Sequence, residues 1–489
     1  MATVRAWVAG CALALVALGP VAPAQTAAPP APDQADAEAL RVVDLWLDAV
    51  EAYDRIPAIS ASVVRNGHLV WAKGYGTIDR DHKVPASPTT IYSICSISKL
   101  FTSIALMQQW EQGKVDLDAP ITTYLPWARV KPITEDTLPV TLRGVLTHSA
   151  GLPRESDFPY WAGAGNPFPT DAQLQARMPE QTALYPAQRR FQYSNLGLTL
   201  AGDTVAAVSG EAYADYARAH ILEPLGLKDT RTYFPVDLLG TRMAVGWGAL
   251  KRDGTRDPLP PFATRAITPA AGYTSTALDL ARFAEWQFRL MRNGKAEVLK
   301  AATLREMQRV QFVDPDWKTM RGLGFNVSHI GDHTYVGHGG DCPGYHTAIA
   351  LRPADETAVV VMETGAEPPS AWARAVFGVL DRRHGFAFRE PARGMRLEDY
   401  TGRFSAQPWG NELIVAPWAG GLVLLSLPAA NPAEAMEFLK PKGNDAFRVV
   451  RADGSEAEEV RFERGADGKV ARFVVFSNPR EKVADLPPG

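Results

Sequence analysis

Ser96-Ile97-Ser98-Lys99 sets a hydroxyl and an amine three residues apart, the one S-x-x-K in the chain. Residues three and four apart share a helix face, so on a helix Lys99 stands beside Ser96. A serine hydroxyl is a weak nucleophile until a neighbouring base takes its proton. A lysine with a pKa lowered by burial can be that base. A serine near a helix N-terminus also presents its Oγ and N–H where the helix dipole favours negative charge. The plain alternative is a surface lysine beside a capping serine.

Two further clusters offer matching chemistry. Tyr193-Ser194-Asn195 supplies a phenol and an amide. A cationic lysine beside Tyr193 would lower its pKa from near 10, so that it shuttles a proton to a leaving group. Asn195 would hydrogen-bond Lys99 and a substrate amide. The alternative is a helix cap ahead of the apolar run Leu196 to Val205. His338-Gly339-Gly340 closes a predicted strand. Gly339 and Gly340 would let substrate backbone lie close to the strand edge. The amide of Asp341 would then join that of Ser96 as an oxyanion hole. The alternative is a tight turn between strands.

The spacing of apolar residues predicts the elements that carry these groups. A helix over Thr90 to Gln112 has one apolar stripe, Ile97, Leu100, Phe101, Ile104 and Met107, with Ser96, Lys99 and Ser103 off it. A second helix covers Asp36 to Tyr53. A hairpin is expected where Ile59 to Val64 and Leu69 to Trp71 flank Asn66-Gly67, since Asn-Gly suits a type I′ turn. Leu142 to Trp286 reads as helices joined by Pro- and Gly-rich loops. Antiparallel strands follow at His333 to Val336, Tyr345 to Leu351 and Thr357 to Met362, then a helix from Ser370 to Arg382. From Leu397 the texture becomes short alternating runs at 413–415, 422–425, 447–450, 460–463 and 473–476, with turns such as Asp467-Gly468 between them. That is a small all-β module.

Ser96-x-x-Lys99, Tyr193-x-Asn195 and His338-x-Gly340 together resemble, in order and spacing, the three motifs of class C β-lactamases and their penicillin-binding and esterase relatives. Leu146-Thr147-His148-Ser149-Ala150-Gly151-Leu152-Pro153, Gly322-Leu323-Gly324-Phe325 and Ala271-Gly272-Tyr273 add to the likeness, which runs from Val42 to Arg382. The resemblance implies an α+β, transpeptidase-like fold: an antiparallel sheet flanked by helices, with a helical subdomain and a cleft between. It casts Ser96 as nucleophile, Lys99 as its activator, Tyr193 as general base and acid, and Asn195 as a polar positioner. His338 stands where true β-lactamases carry a lysine. The C-terminal module resembles the lipocalin-like β-barrel appended to such hydrolases. Cys95 and Cys342 occupy the motif-relative places of a disulfide in carbapenem-hydrolysing class A β-lactamases, which implies a bridge; two buried free thiols are the alternative.

The remaining features bound the function. The 489 residues, 46% hydrophobic and 21% charged, suit a soluble chain of more than one domain. A net charge of −3 offers no field for nucleic acid. The first residues read as an export signal: Arg5, an apolar run from Ala6 to Leu18, and Ala22-Pro23-Ala24 as the cleavage site. An uncleaved membrane anchor is the alternative there, and Val8 to Cys11 also has the look of a lipoprotein box. The expected layout is a signal peptide at 1–24, a linker at 25–35, a hydrolase domain at 36–390 and a β-barrel domain at 396–489. The mature protein would be periplasmic or secreted, with no membrane span. The nine histidines include no H-E-x-x-H, so no metal or other cofactor is expected. Expected partners are a small-molecule or peptide substrate, peptidoglycan fragments included. A neutral His338, Gly339 beside it and the charge of Asp341 make a poor seat for the carboxylate of β-lactams and D-Ala-D-Ala peptides. The expected function is a serine hydrolase acting through an acyl-enzyme on ester, amide or D-amino-acid peptide substrates. The alternatives are a β-lactamase and a non-catalytic penicillin- or cell-wall-binding protein.

Overall fold

The computed structural model describes residues 32–365, 369–385 and 395–487. The expected signal peptide, Cys11 and most of the expected linker lie outside them. Helix α1 (Gln34–Asp54) starts where the Asp33 carboxylate accepts from Asp36 N, and ends where Arg55 turns left-handed. Strands β1 (Ala58–Arg65) and β2 (His68–Gly76) form the expected hairpin. Asn66 and Gly67 both take positive φ, 52° and 77°, as a type I′ turn requires.

The hairpin lies at one edge of an eight-stranded antiparallel sheet. Its other strands are β3 (Phe312–Val313), β4 (Met320–Arg321), β5 (Asn326–Ile330), β6 (His333–Cys342), β7 (Tyr345–Arg352) and β8 (Thr357–Glu363), in the order β2-β1-β8-β7-β6-β5-β4-β3. Every residue of β1 and β8 is buried. Both faces of the sheet are covered, so these strands read as continuous runs rather than alternating ones. One apolar cluster joins α1 and α5 (Pro369–Gly385) to one face. On the other face lie α2 (Ser98–Glu111), α3 (Asn195–Ser209) and α4 (Ala277–Asn293) with the loops between them.

The helix predicted from Thr90 starts later. Tyr92–Ser93 pairs with Thr274–Ser275, a 3₁₀ turn covers Cys95–Ile97, and α2 begins at Ser98. Cys95 takes φ 48°, a left-handed conformation that a helix cannot absorb. The stripe predicted for α2 is also too narrow a description. Twelve consecutive residues, Ser98 to Gln109, are buried, so its polar side faces protein too.

The C-terminal module is a closed eight-stranded barrel in sequential order. Its strands are β9 (Gly402–Ser405), β10 (Glu412–Trp418), β11 (Gly421–Leu427), β12 (Met436–Gly443), β13 (Ala446–Val450), β14 (Glu456–Arg464), β15 (Val470–Val475) and β16 (Asn478–Ala484). Closure leaves no free strand edge. Phe404, Phe447, Phe462 and Phe473 pack inside. The barrel rests on α1 and α5: Trp418, Val423 and Phe438 belong to the same buried cluster as Trp46 and Phe377, and Trp46 Nε1 donates to Ala429 O at 2.8 Å. Among the described residues no helix is long and apolar enough to cross a membrane.

Candidate active site

Ser96 sits on the 3₁₀ turn that leads into α2. The turn is tied on several sides. Ile94 N donates to Tyr273 O at 2.9 Å. Ser98 Oγ donates to Cys95 O at 2.5 Å and accepts from Tyr273 N at 3.0 Å. The Cys95–Cys342 disulfide, Cα atoms 5.9 Å apart, ties it to the end of β6. Gly340 matters for the same reason. A Cβ there would lie 2.2 Å from Ile94 O and 2.3 Å from Thr347 Oγ1. The space that the sequence reading gave to substrate at Gly340 is filled by the turn carrying Ser96. A Cβ at Gly339 would meet Ser370 Oγ at 3.3 Å.

Lys99 is wholly buried one helical turn on. Its Nζ lies 3.0 Å from Ser96 Oγ, 2.7 Å from Asn195 Oδ1 and 2.8 Å from Ala270 O. Burial pushes its pKa well below the ordinary lysine value; Glu155 opposes the shift and Arg154 adds to it. As an ammonium Lys99 donates to all three oxygens; as the neutral amine it keeps two hydrogens for Asn195 and Ala270 and turns its lone pair to the Ser96 hydroxyl. Ser103, on the same face, is spent on its own helix, donating to Lys99 O at 2.7 Å.

Tyr193 OH donates to Ser96 Oγ at 2.7 Å. The expected lowering of its pKa does not occur. Burial raises it to about 12, outweighing the hydrogen bond with Ser96 and the charges of Arg154 and Arg321. With its pKa raised, Tyr193 rests as a protonated phenol. Ser194 caps α3 by accepting from Gly197 N at 2.8 Å, so the helix-cap reading of this segment and the site reading hold together. His148 packs its ring 4.4 Å from that of Tyr193. Its Nδ1 accepts from Ser194 N at 3.1 Å, and burial keeps it neutral.

His338 lies on β6 with its ring 6.3 Å from that of Tyr193. Burial lowers its pKa to about 3. Nδ1 donates to Gly339 O at 2.6 Å, which leaves Nε2 a buried acceptor without a partner among the described residues. His338 therefore brings no charge to the place of the β-lactamase lysine. The Asp341 side chain is 84% exposed, 3.4 Å from His346, so its charge is largely screened by solvent. Ser96 and Asp341 both line a cleft of about 500 Å³, with Asn195, Arg154 and Trp161.

The beta-lactamase family profile matches residues 46–381. The chain belongs to the beta-lactamase family. The chain is 26% identical over 301 residues to beta-lactamase-like protein 2 of Dictyostelium discoideum, covering 60% of this chain and 54% of that one. It is 26% identical over 312 residues to protein flp of Staphylococcus aureus strain MW2, covering 63% and 59%. It thus spans little more than half the length of these relatives. An octameric penicillin-binding protein homologue from Pyrococcus abyssi superposes with a TM-score of 0.62 at 25% identity, over 90% of this chain and 99% of that one.

This beta-lactamase-family site also holds groups that the sequence reading missed. Glu155 Oε1 accepts from Asn195 Nδ2 at 2.6 Å. Its other oxygen accepts from Tyr160 OH, and Arg154 lies 3.3 Å away. Arg321 stacks 4.3 Å over Phe191 and bonds Asn326. Burial lowers its pKa to about 10, with Tyr193 opposing. Glu155 lies just beyond the Leu146–Pro153 stretch and Arg321 just before Gly322-Leu323-Gly324-Phe325. Proximity to those stretches was the one signal available for either.

Proposed function

We propose that the protein is a serine hydrolase that cleaves esters, amides or D-amino-acid peptides through an acyl-enzyme on Ser96. The observation that carries this reading is Ser96 Oγ standing 3.0 Å from a buried amine and 2.7 Å from a half-buried phenol. Ser96 Oγ attacks the substrate carbonyl carbon while its proton passes to Lys99. The amides of Ser96 and Asp341 take the developing oxyanion. Tyr193 gives its proton to the leaving oxygen or nitrogen as that bond breaks, and the Lys99 ammonium returns its proton to the phenolate. Water then attacks the Ser96 ester with Lys99 and Tyr193 again moving the proton. The acid is released and Ser96 is re-formed.

The uncharged His338 favours substrates that need no cation at that place over β-lactams. The test is a fluorophosphonate label and the turnover of aryl esters, D-amino-acid peptides and a chromogenic cephalosporin. Labelling of Ser96 with ester or peptide turnover well above cephalosporin turnover is expected. Rapid cephalosporin turnover would favour a β-lactamase. A chain that neither labels nor turns over would leave a binding protein.

A further inference from the structure

A second cavity, of about 440 Å³, adjoins the Ser96 cleft. The two share Trp161, Leu259 and Pro343 as walls. We propose that this cavity receives the acyl portion of the substrate and selects a bulky, uncharged aromatic or branched apolar group. The proposal rests on the serine-hydrolase reading and names the substrate class within it.

The walls are apolar and stiff. Phe168 sits at the centre of an aromatic set, 4.6 Å from the ring of Tyr160, 4.9 Å edge-on from Trp161 and 6.0 Å from Phe262. Pro167, Pro260, Pro261 and Pro343 stiffen other parts of the wall. Rings and prolines lose little freedom when a ligand is bound. Among the described residues no carboxylate lines the cavity; its polar side chains are those of Tyr160, Asn166 and Arg265 and the indole N–H of Trp161. Tyr160 is bonded to Glu155, and Arg265 donates to Phe168 O at 3.3 Å. An engineered apolar cavity of about 150 Å³ already holds benzene, so an arylacyl group fits with room to spare.

Position on β6 decides which end of the substrate enters. Tyr193, the proton donor to the leaving group, lies beside His338. Pro343 is five residues further along the chain, about 17 Å at the rise of an extended strand. The leaving group thus lies toward His338 and the acyl group toward Pro343. The cavity is also wired to the chemistry. Tyr160 in its wall bonds Glu155, Glu155 holds Asn195, and Asn195 holds Lys99.

The test uses the full chain and two esters with one leaving group, p-nitrophenyl acetate and p-nitrophenyl phenylacetate. The readout is the ratio of their kcat/KM values, which a partly inactive preparation does not change. The native protein should favour phenylacetate by about tenfold or more. Ala263→Trp, at an exposed position on the cavity wall, should bring the ratio down about tenfold. Trp161→Ala, which removes a shared wall, should also lower it. A native preference for acetate, or a ratio untouched by Ala263→Trp, would overturn the proposal while leaving Ser96 as nucleophile. Equal turnover of both esters by Ser96→Ala and native protein would remove the nucleophile, and this proposal with it.

Discussion

The Glu155 carboxylate accepts from Asn195 Nδ2 at 2.6 Å and so fixes which side of the amide Lys99 meets. With Nδ2 engaged, Oδ1 faces the Lys99 amine at 2.7 Å. The amine's hydrogens are then occupied away from Ser96, and its lone pair is left for the hydroxyl proton. A carboxylate thereby serves the nucleophile without touching it. Glu155→Ala would leave the Asn195 amide short of a buried acceptor, a cost of about 1–3 kcal/mol. Ester kcat/KM should fall about tenfold, with Glu155→Gln recovering most of it. Full activity in Glu155→Ala would show that Asn195 orients itself.

The same carboxylate gives a pH dependence of known sign. Lys99 works as the neutral amine, so kcat/KM should rise with pH through an ionisation well below the ordinary lysine value. Glu155 stabilises the ammonium form. Glu155→Gln should therefore move the acid limb to lower pH. A limb that stays in place or moves to higher pH would take Lys99 out of the base role.

Ser96→Ala should abolish fluorophosphonate labelling and lower ester turnover by about a thousandfold or more. Lys99→Ala should lose as much. The two losses should not add, because both variants remove the same proton transfer.

His338 is held neutral by burial, its pKa lowered to about 3 in the folded chain against about 6.5 when unfolded. Its contribution to stability is present above about pH 6.5 and drains as pH falls toward 3, because the unfolded chain takes up the proton first. His148 acts in the same direction. The thermal midpoint should therefore drop on acidification through this window, and less steeply in His338→Gln. An unchanged slope in that variant would place the acid sensitivity elsewhere.

The disulfide closes a long stretch of chain, Cys95 and Cys342 being 247 positions apart. Opening it restores freedom to the unfolded state, about 5–6 kcal/mol on the loop-entropy account. A Cys95→Ser/Cys342→Ser double variant should melt several degrees lower. Each cysteine also adjoins one expected oxyanion donor, Ser96 or Asp341, so kcat should fall as well. Native kcat in the double variant would confine the bridge to stability.

Much of this was written in local spacing. Ser96 and Lys99 at i and i+3 announced a shared face, and Asn66-Gly67 announced the hairpin. Three barrel strands left no such mark. Gly402–Ser405 is four residues long, Pro441 breaks the alternation of Met436–Gly443, and Asn478–Ala484 is mostly exposed and charged. The raised pKa of Tyr193 was hidden because burial, not a neighbouring charge, decides it. Glu155 was hidden because its loop has no periodicity and its partner is 40 residues away.

Trp46 on α1 and Trp418 in the barrel share one apolar cluster with β1 and β8, although none of the residues lining the Ser96 cleft comes from the barrel. The two parts of the chain should therefore denature in a single calorimetric event. Cutting away the distal barrel would strip the back of the helices bracing the open sheet, so an appendage remote from Ser96 becomes a condition for that sheet's survival.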